Sequence, residues 1–209
     1  MQILSIIITA IITFTATNID DIFVLMMFFS QTNHSFRRRH VIIGQYLGFV
    51  ALIAISLLGF LGSFIIPKEF IGLLGFAPIV IGIRKFISRE NKIESTNLET
   101  STQKAPSISA ILFHPETYSV ATVTFANGGD NIGIYTPLFA SVDLPSLIII
   151  VTTFLLLVML WCLIGIRLTH QKHVAQVLSR YGHIVVPFVL FGLGIYIIIE
   201  NGTLHLLGL

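Results

Sequence analysis

Apolar residues gather along this chain in six blocks, at roughly 3–30, 41–66, 70–87, 117–140, 146–167 and 184–200. Each reaches the roughly 17–25 residues with which a helix crosses a bilayer. The first block is interrupted by Thr17-Asn18-Ile19-Asp20-Asp21 and the fourth by Asn127-Gly128-Gly129-Asp130-Asn131, while the others are nearly uncharged. Between the third and fourth blocks, 88–107 is rich in Ser, Thr, Asn, Glu and Lys, with Ile93, Leu98 and Ala105 as its few apolar residues. Such a stretch cannot bury a core and reads as a linker. The pattern predicts an all-α integral membrane protein of six transmembrane helices. Residues 1–87 form one three-helix unit, 88–107 a polar cytoplasmic linker and 108–209 a second three-helix unit.

The two interruptions resemble each other. Both carry Thr-x-x-Asn-x-x-Asp, and Thr124, Asn127 and Asp130 follow Thr15, Asn18 and Asp21 by a constant 109 positions. A weaker echo links Gly82-Ile83-Arg84 in the third block to Gly194-Ile195-Tyr196 in the sixth, 112 positions on. A unit with an odd number of spans enters the membrane from the opposite face when it is copied. The two units are therefore expected to be inverted repeats, a recurring transporter design in which interrupted helices meet near the midplane.

Charge supports the same count. The connections after the first, third and fifth blocks hold Arg37, Arg38 and Arg39; Arg84, Lys85, Arg89, Lys92 and Lys104; and Arg167, Lys172 and Arg180, leaving only Lys68 of the 12 Lys and Arg elsewhere. Basic residues concentrate in cytoplasmic loops, so six spans with both termini extracytoplasmic fit the rule. The chain is 55% hydrophobic and only 11% charged, against about a quarter charged in a soluble domain. No long basic stretch beyond Arg37-Arg38-Arg39 exists to bind nucleic acid. The single cysteine, Cys162, excludes an internal disulfide and a Cys-x-x-Cys relay. Met1-Gln2-Ile3-Leu4 lacks the basic region of a cleaved signal peptide, so the first block is taken as a true span.

Chemistry concentrates at the interruptions. Asp20, Asp21 and Asp130 fall at mid-span, where a carboxylate costs several kcal/mol or more unless it is paired, protonated or wetted. The sequence supplies no Lys or Arg at comparable depth. The balancing positive charge is then a proton or a bound cation. Asn18 and Asp21 are three apart and share a helix face, as do Asn127 and Asp130, with Asn131 beside them. Gly128-Gly129 weakens regular helix, and unwound carbonyls with carboxylate and amide oxygens would make a cation cage. Asn or Thr alone would read more simply as polar glue between helices. Three aspartates without a basic partner in the sequence read better as a metal site.

Other candidates are weaker. His114-Pro115-Glu116 fits a point of metal entrance, but Pro near a first turn fits a helix start equally well. His170, His173 and His183 read as solvated loop residues. Cys162 beside Trp161, and Met26 with Met27, read as apolar packing. Arg37-Arg38-Arg39 reads as a topology anchor.

The segments Thr17-Asn18-Ile19-Asp20-Asp21-Ile22-Phe23 and Ala126-Asn127-Gly128-Gly129-Asp130-Asn131-Ile132-Gly133-Ile134-Tyr135-Thr136-Pro137-Leu138-Phe139-Ala140 resemble those of the bacterial cadmium resistance transporter family. That family belongs to the lysine-exporter superfamily of small inverted-repeat carriers. The resemblance extends over nearly the whole chain in length and span order, and the Asn-Gly-Gly-Asp-Asn segment is its more specific part. It implies a multi-pass protein of the bacterial plasma membrane that exports Cd²⁺ and confers cadmium resistance. An oxygen cage suits a carrier that must release its ion, and Cd²⁺ is close in size to Ca²⁺. The same cage would pass Mn²⁺, so the preferred metal stays open.

Export of amino acids or organic cations is the nearest alternative. It would need a group for a substrate carboxylate, which helix N-termini alone would have to supply. An intramembrane aspartyl protease is remote, because Asn127 breaks the Gly-x-Gly-Asp motif and no Pro-Ala-Leu segment exists. The expected protein is thus an exchanger of metal for protons rather than an enzyme. It would hold no cofactor besides the transported cation. Its expected partners are the metal, protons and the lipid bilayer, with self-assembly left open.

Overall fold

The computed structural model describes residues 3–87, 114–169 and 172–203, without the side chains of 69, 85 and 172–185. All regular structure among these residues is helical. The linker 88–107 and His170 lie outside the described residues, as do the side chains of His173 and His183.

Helix α1 runs Ile3–Asn18 and α2 runs Asp21–Ser30, meeting at a bend of 61°. The break falls on the predicted polar interruption. α3 is an unbroken Arg38–Gly62. The third block is less regular than expected: a short α4 at Lys68–Ile71 passes through a 3₁₀ turn at Gly72–Gly75 into α5, Phe76–Ile87. Gly72 and Gly75 are buried at that turn, and their lack of side chains accommodates Thr203 and Gly194 respectively. α6 spans Pro115–Asn127 and α7 Gly129–Ala140, separated only by Gly128. α8 is Leu144–Leu168 and α9 is Lys172–Glu200. Asp143 starts α8 by accepting a hydrogen bond from the Ser146 amide at 3.2 Å, and Pro opens both α6 and α8 at a position that needs no donor.

Among the described residues, α3 and α8, 25 residues each, are continuous and apolar enough to span a membrane, and the bent α1–α2 pair makes a third. At 1.5 Å per residue each long helix covers about 38 Å, more than the roughly 30 Å hydrocarbon core. Gly72–Arg84 and Val186–Glu200 are shorter apolar stretches. Large apolar side chains such as Leu58, Phe64, Ile65, Ile148 and Leu156 point outwards. An outer surface of this kind suits lipid and not water. The protein is a membrane protein, helical throughout its regular structure among the described residues.

The core sits where α1, α3, α7 and α8 meet. Phe14, Phe49, Tyr135, Phe139, Phe154 and Trp161 pack there, with Phe14 edge to face against Trp161 at 5.1 Å and Tyr135 tilted against Phe154 at 4.8 Å between ring centres. α3 lies along both α6 and α7, and α1 and α2 lie along α8. Glycines make the first of these seams close. Gly44 abuts Thr117 and Val120, Gly48 abuts Ala121 and Thr124, and Gly59 abuts Thr136, so α3 runs parallel to α6 and α7. Small residues let helix backbones approach in this way inside membranes.

Candidate metal site at two helix breaks

The break after Asn18 frees helix carbonyls that have no partner further along the chain. One of them, the Asn18 carbonyl, accepts the Trp161 indole N–H at 2.7 Å. The Asn18 amide nitrogen donates to the Phe14 carbonyl (2.8 Å), Thr17 Oγ1 (2.8 Å) and the Tyr135 hydroxyl (2.7 Å). Thr17 Oγ1 is also 2.7 Å from the Tyr135 hydroxyl. The end of α1 is thereby held rigidly against α7 and α8.

Asp21 opens α2 and is only 3% exposed. The Asn127 amide, the last residue of α6, donates to its Oδ1 at 2.5 Å. Gln45 of α3 donates to its Oδ2 at 3.4 Å, and Gln45 in turn accepts the Thr124 hydroxyl at 2.7 Å. Asn131 of α7 donates to Asn18 Oδ1 at 3.3 Å. Its own Oδ1 is buried and has no hydrogen-bond partner. A buried acceptor left without a donor is costly and rare in a folded protein. Asp20 and Asp130 are half-buried and lie within electrostatic range of Asp21.

The structure therefore brings the two predicted motifs together: Asn18 meets Asn131, and Asp21 meets Asn127. Asn18, Asp21 and Asn131 are buried, whereas Asn127 is largely exposed apart from the amide aimed at Asp21. The helix is interrupted at Gly128 itself, with φ −84° and ψ 14°, and not across both glycines. Leu52 lies against Gly128 where a Cβ would collide, while a Cβ at Gly129 would meet nothing within 4 Å. Cys162 is fully buried in the apolar core, and Met26 packs at its edge.

Gln45 and Tyr135 escaped the sequence reading. Gln45 is the sole amide side chain in the apolar run of α3, so the reasoning applied to mid-span aspartates would have marked it. Tyr135 lay inside the quoted fourth-block motif, but its hydroxyl has no local partner that spacing could reveal.

No curated protein and no solved structure matches the chain. A family profile described as cadmium resistance transporter matches residues 14–208. That match takes in both interruptions, the Gln45 helix and the last apolar helix, and on it the chain belongs to the cadmium resistance transporter family.

Proposed function

We propose that the chain exports divalent cations from the cytoplasm, Cd²⁺ foremost, through an oxygen-lined site built from Asp21, Asn127, Asn18 and Asn131, with Asp20 and Asp130 supplying further negative charge. The observation that carries this reading is the Asp21–Asn127 bond joining the two helix breaks, beside a buried Asn131 Oδ1 that lacks a donor. A hard-oxygen cage of carboxylates and amide carbonyls binds divalent cations well. Exchange of metal for protons follows from charge balance. Three carboxylates in an apolar interior hold either a divalent ion or protons. Metal arriving from the cytoplasm displaces protons, and protons from outside displace the metal. Asp21 and Asp130 are the equivalent acids of the two motifs, whereas Gly129 stands where the second motif would match Asp20.

The inverted six-span arrangement is part of this reading, and repeated contacts support it. Trp161 lies on the first break at Asn18, and Leu52, its counterpart 109 positions earlier, lies on the second at Gly128. The Tyr46 hydroxyl bonds the Leu155 carbonyl exactly one repeat away, with 109 positions between them, as equivalent residues near a two-fold axis would. A shift of 112 positions carries Gly82 onto Gly194 and Gly75 onto Pro187. Gly82 abuts Pro187 and Gly194 abuts Gly75, so the two contacts exchange.

Membrane vesicles loaded with a pH-sensitive dye test the mechanism. Cd²⁺ movement should carry a counterflow of protons, and Asp21→Asn and Asp130→Asn should each abolish net export. Full transport by both variants, or flux indifferent to an imposed pH gradient, would sink it. Orientation is tested separately, by thiol labelling of intact cells in a background lacking Cys162. Gln2→Cys and Gly208→Cys should label from outside and Thr96→Cys should not.

A further inference from the structure

We propose a second metal site, formed by His40, His114 and Glu116 where α3 and α6 begin, that selects imidazole-binding divalent ions ahead of the Asp21 site. One ligand atom from each of the three residues falls within 4.8 Å of the other two. Both imidazoles face the same carboxylate oxygen: His40 Nδ1 is 3.8 Å and His114 Nδ1 2.6 Å from Glu116 Oε2. Ligand atoms of a tetrahedral zinc centre with bonds of about 2.1 Å stand roughly 3.4 Å apart. The two spacings bracket that value.

The surroundings favour a ligand over a simple ion pair. His40 is 1% exposed and its Nε2 is buried with no hydrogen-bond partner; Glu116 Oε2 is buried and likewise makes no hydrogen bond. The other carboxylate oxygen, Oε1, accepts the Ser35 hydroxyl at 3.3 Å, which aims Oε2 at the imidazoles. Helix geometry fixes the donors. His40 sits in the first turn of α3, where its Nδ1 accepts the Arg37 amide at 3.2 Å. His114 and Glu116 flank the Pro115 that starts α6. The two rings are stacked, 4.7 Å apart and inclined by 11°. Lone pairs in parallel planes cannot converge on one ion, so metal binding turns the His114 ring out of the stack and replaces the Arg37 contact of His40. The position of His114 ahead of the helix permits that rotation.

Two imidazoles and one carboxylate prefer Zn²⁺, Co²⁺ or Cd²⁺ to Ca²⁺ and Mg²⁺, and they leave a fourth position open for exchange. Gln45, which bonds Asp21, is five residues after His40, a rise of about 8 Å along α3. The trio thus stands about one and a half turns of α3 ahead of the Gln45 that bonds Asp21, the order a hand-over would use. That hand-over rests on the transport reading, whereas the binding site does not.

The test is binding of Co²⁺ alone by the full chain in detergent, read by its visible absorption, with Cd²⁺ stoichiometry from equilibrium dialysis. The expected wild type shows a Co²⁺ spectrum of mixed nitrogen and oxygen ligation that excess Mg²⁺ does not displace. Asp21→Asn should keep that spectrum. His114→Gln and the near-isosteric Glu116→Gln should weaken Co²⁺ binding at least as much as loss of a supporting contact does, roughly 10–100-fold, while eluting as monodisperse protein. Glu116→Asp should retain part of the binding. Unchanged Co²⁺ binding in both His114→Gln and Glu116→Gln, or a spectrum lost only in Asp21→Asn, would overturn the site. Binding lost in the His114 and Glu116 variants upholds it even if vesicles move no metal, so failure of the site and failure of the transport reading are separable.

Discussion

Replacing Gly48 by Ala tests whether the close α3–α6 seam is what holds the Asp21 site in register. A Cβ on Gly48 would stand 2.6 Å from the Ala121 carbonyl oxygen and 2.7 Å from Thr124 Cβ. Ordinary contact between such atoms begins near 3.5 Å, so the helices must part by about 0.8 Å. The Thr124–Gln45 hydrogen bond crosses the same seam at 2.7 Å. Parting it by that amount stretches the bond to about 3.5 Å, the limit at which it counts as one. Overpacking of this kind costs about 1–3 kcal/mol, and the weakened buried hydrogen bond adds about 1 kcal/mol. Gly48→Ala should therefore lower the thermal unfolding midpoint in detergent. Cd²⁺ efflux should also fall, because Gln45 loses its anchor beside Asp21. Gly129→Ala is the control: nothing lies within 4 Å of the added methyl, and Ala favours helix over Gly by about 1 kcal/mol. It should be as stable as wild type or more so. A wild-type midpoint and wild-type efflux in Gly48→Ala would refute the link between seam and site.

Two further substitutions probe the site's ligands and supports. Tyr135→Phe removes the hydroxyl that bonds both Thr17 and Asn18; each keeps backbone partners within α1, so the loss is that of ordinary buried hydrogen bonds, about 1–2 kcal/mol, and with the tie between the two breaks cut, cadmium affinity measured by dialysis should drop about tenfold while the fold persists. An unchanged affinity would remove Tyr135 from the site's support. Cys162→Ala should preserve most cadmium efflux, because Cys162 is fully buried in the aromatic core; loss of efflux at normal expression would make the sulfur a ligand.

What the sequence could disclose was set by how each feature is encoded. The breaks at Asn18 and Gly128 were legible because polar residues interrupt apolar runs, and a bilayer leaves few reasons for them. The meeting of Asp21 with Asn127 was legible at the level of motifs, because both interruptions carry the same Thr-x-x-Asn-x-x-Asp spacing. Gln45 and Tyr135 were not, since each is one polar group in an apolar helix whose partner lies on another element. The 3₁₀ turn at Gly72–Gly75 was hidden for a different reason: hydropathy reports burial depth and is blind to how a backbone tightens around Thr203.

The trio of His40, His114 and Glu116 shows the same limit with a functional edge. His114 and Glu116 were visible as neighbours, and a helix start explained them as well as a metal did. His40 lies 74 positions before His114 and had no motif to join. Only the parallel course of α3 and α6, set by Gly44 and Gly48, brings their first turns together. The same two glycines align Gln45 with Thr124, about one and a half turns further along α3 and about two to three turns along α6. One packing seam thus positions both a nitrogen-bearing cluster at its beginning and the acid-bearing break beyond it. A carrier that must accept its ion from a cytoplasm rich in Mg²⁺ and then release it gains from that order. On the proposed reading, imidazoles would discriminate against the harder ion first, and an oxygen cage with weaker preference would hold the selected ion where protons displace it.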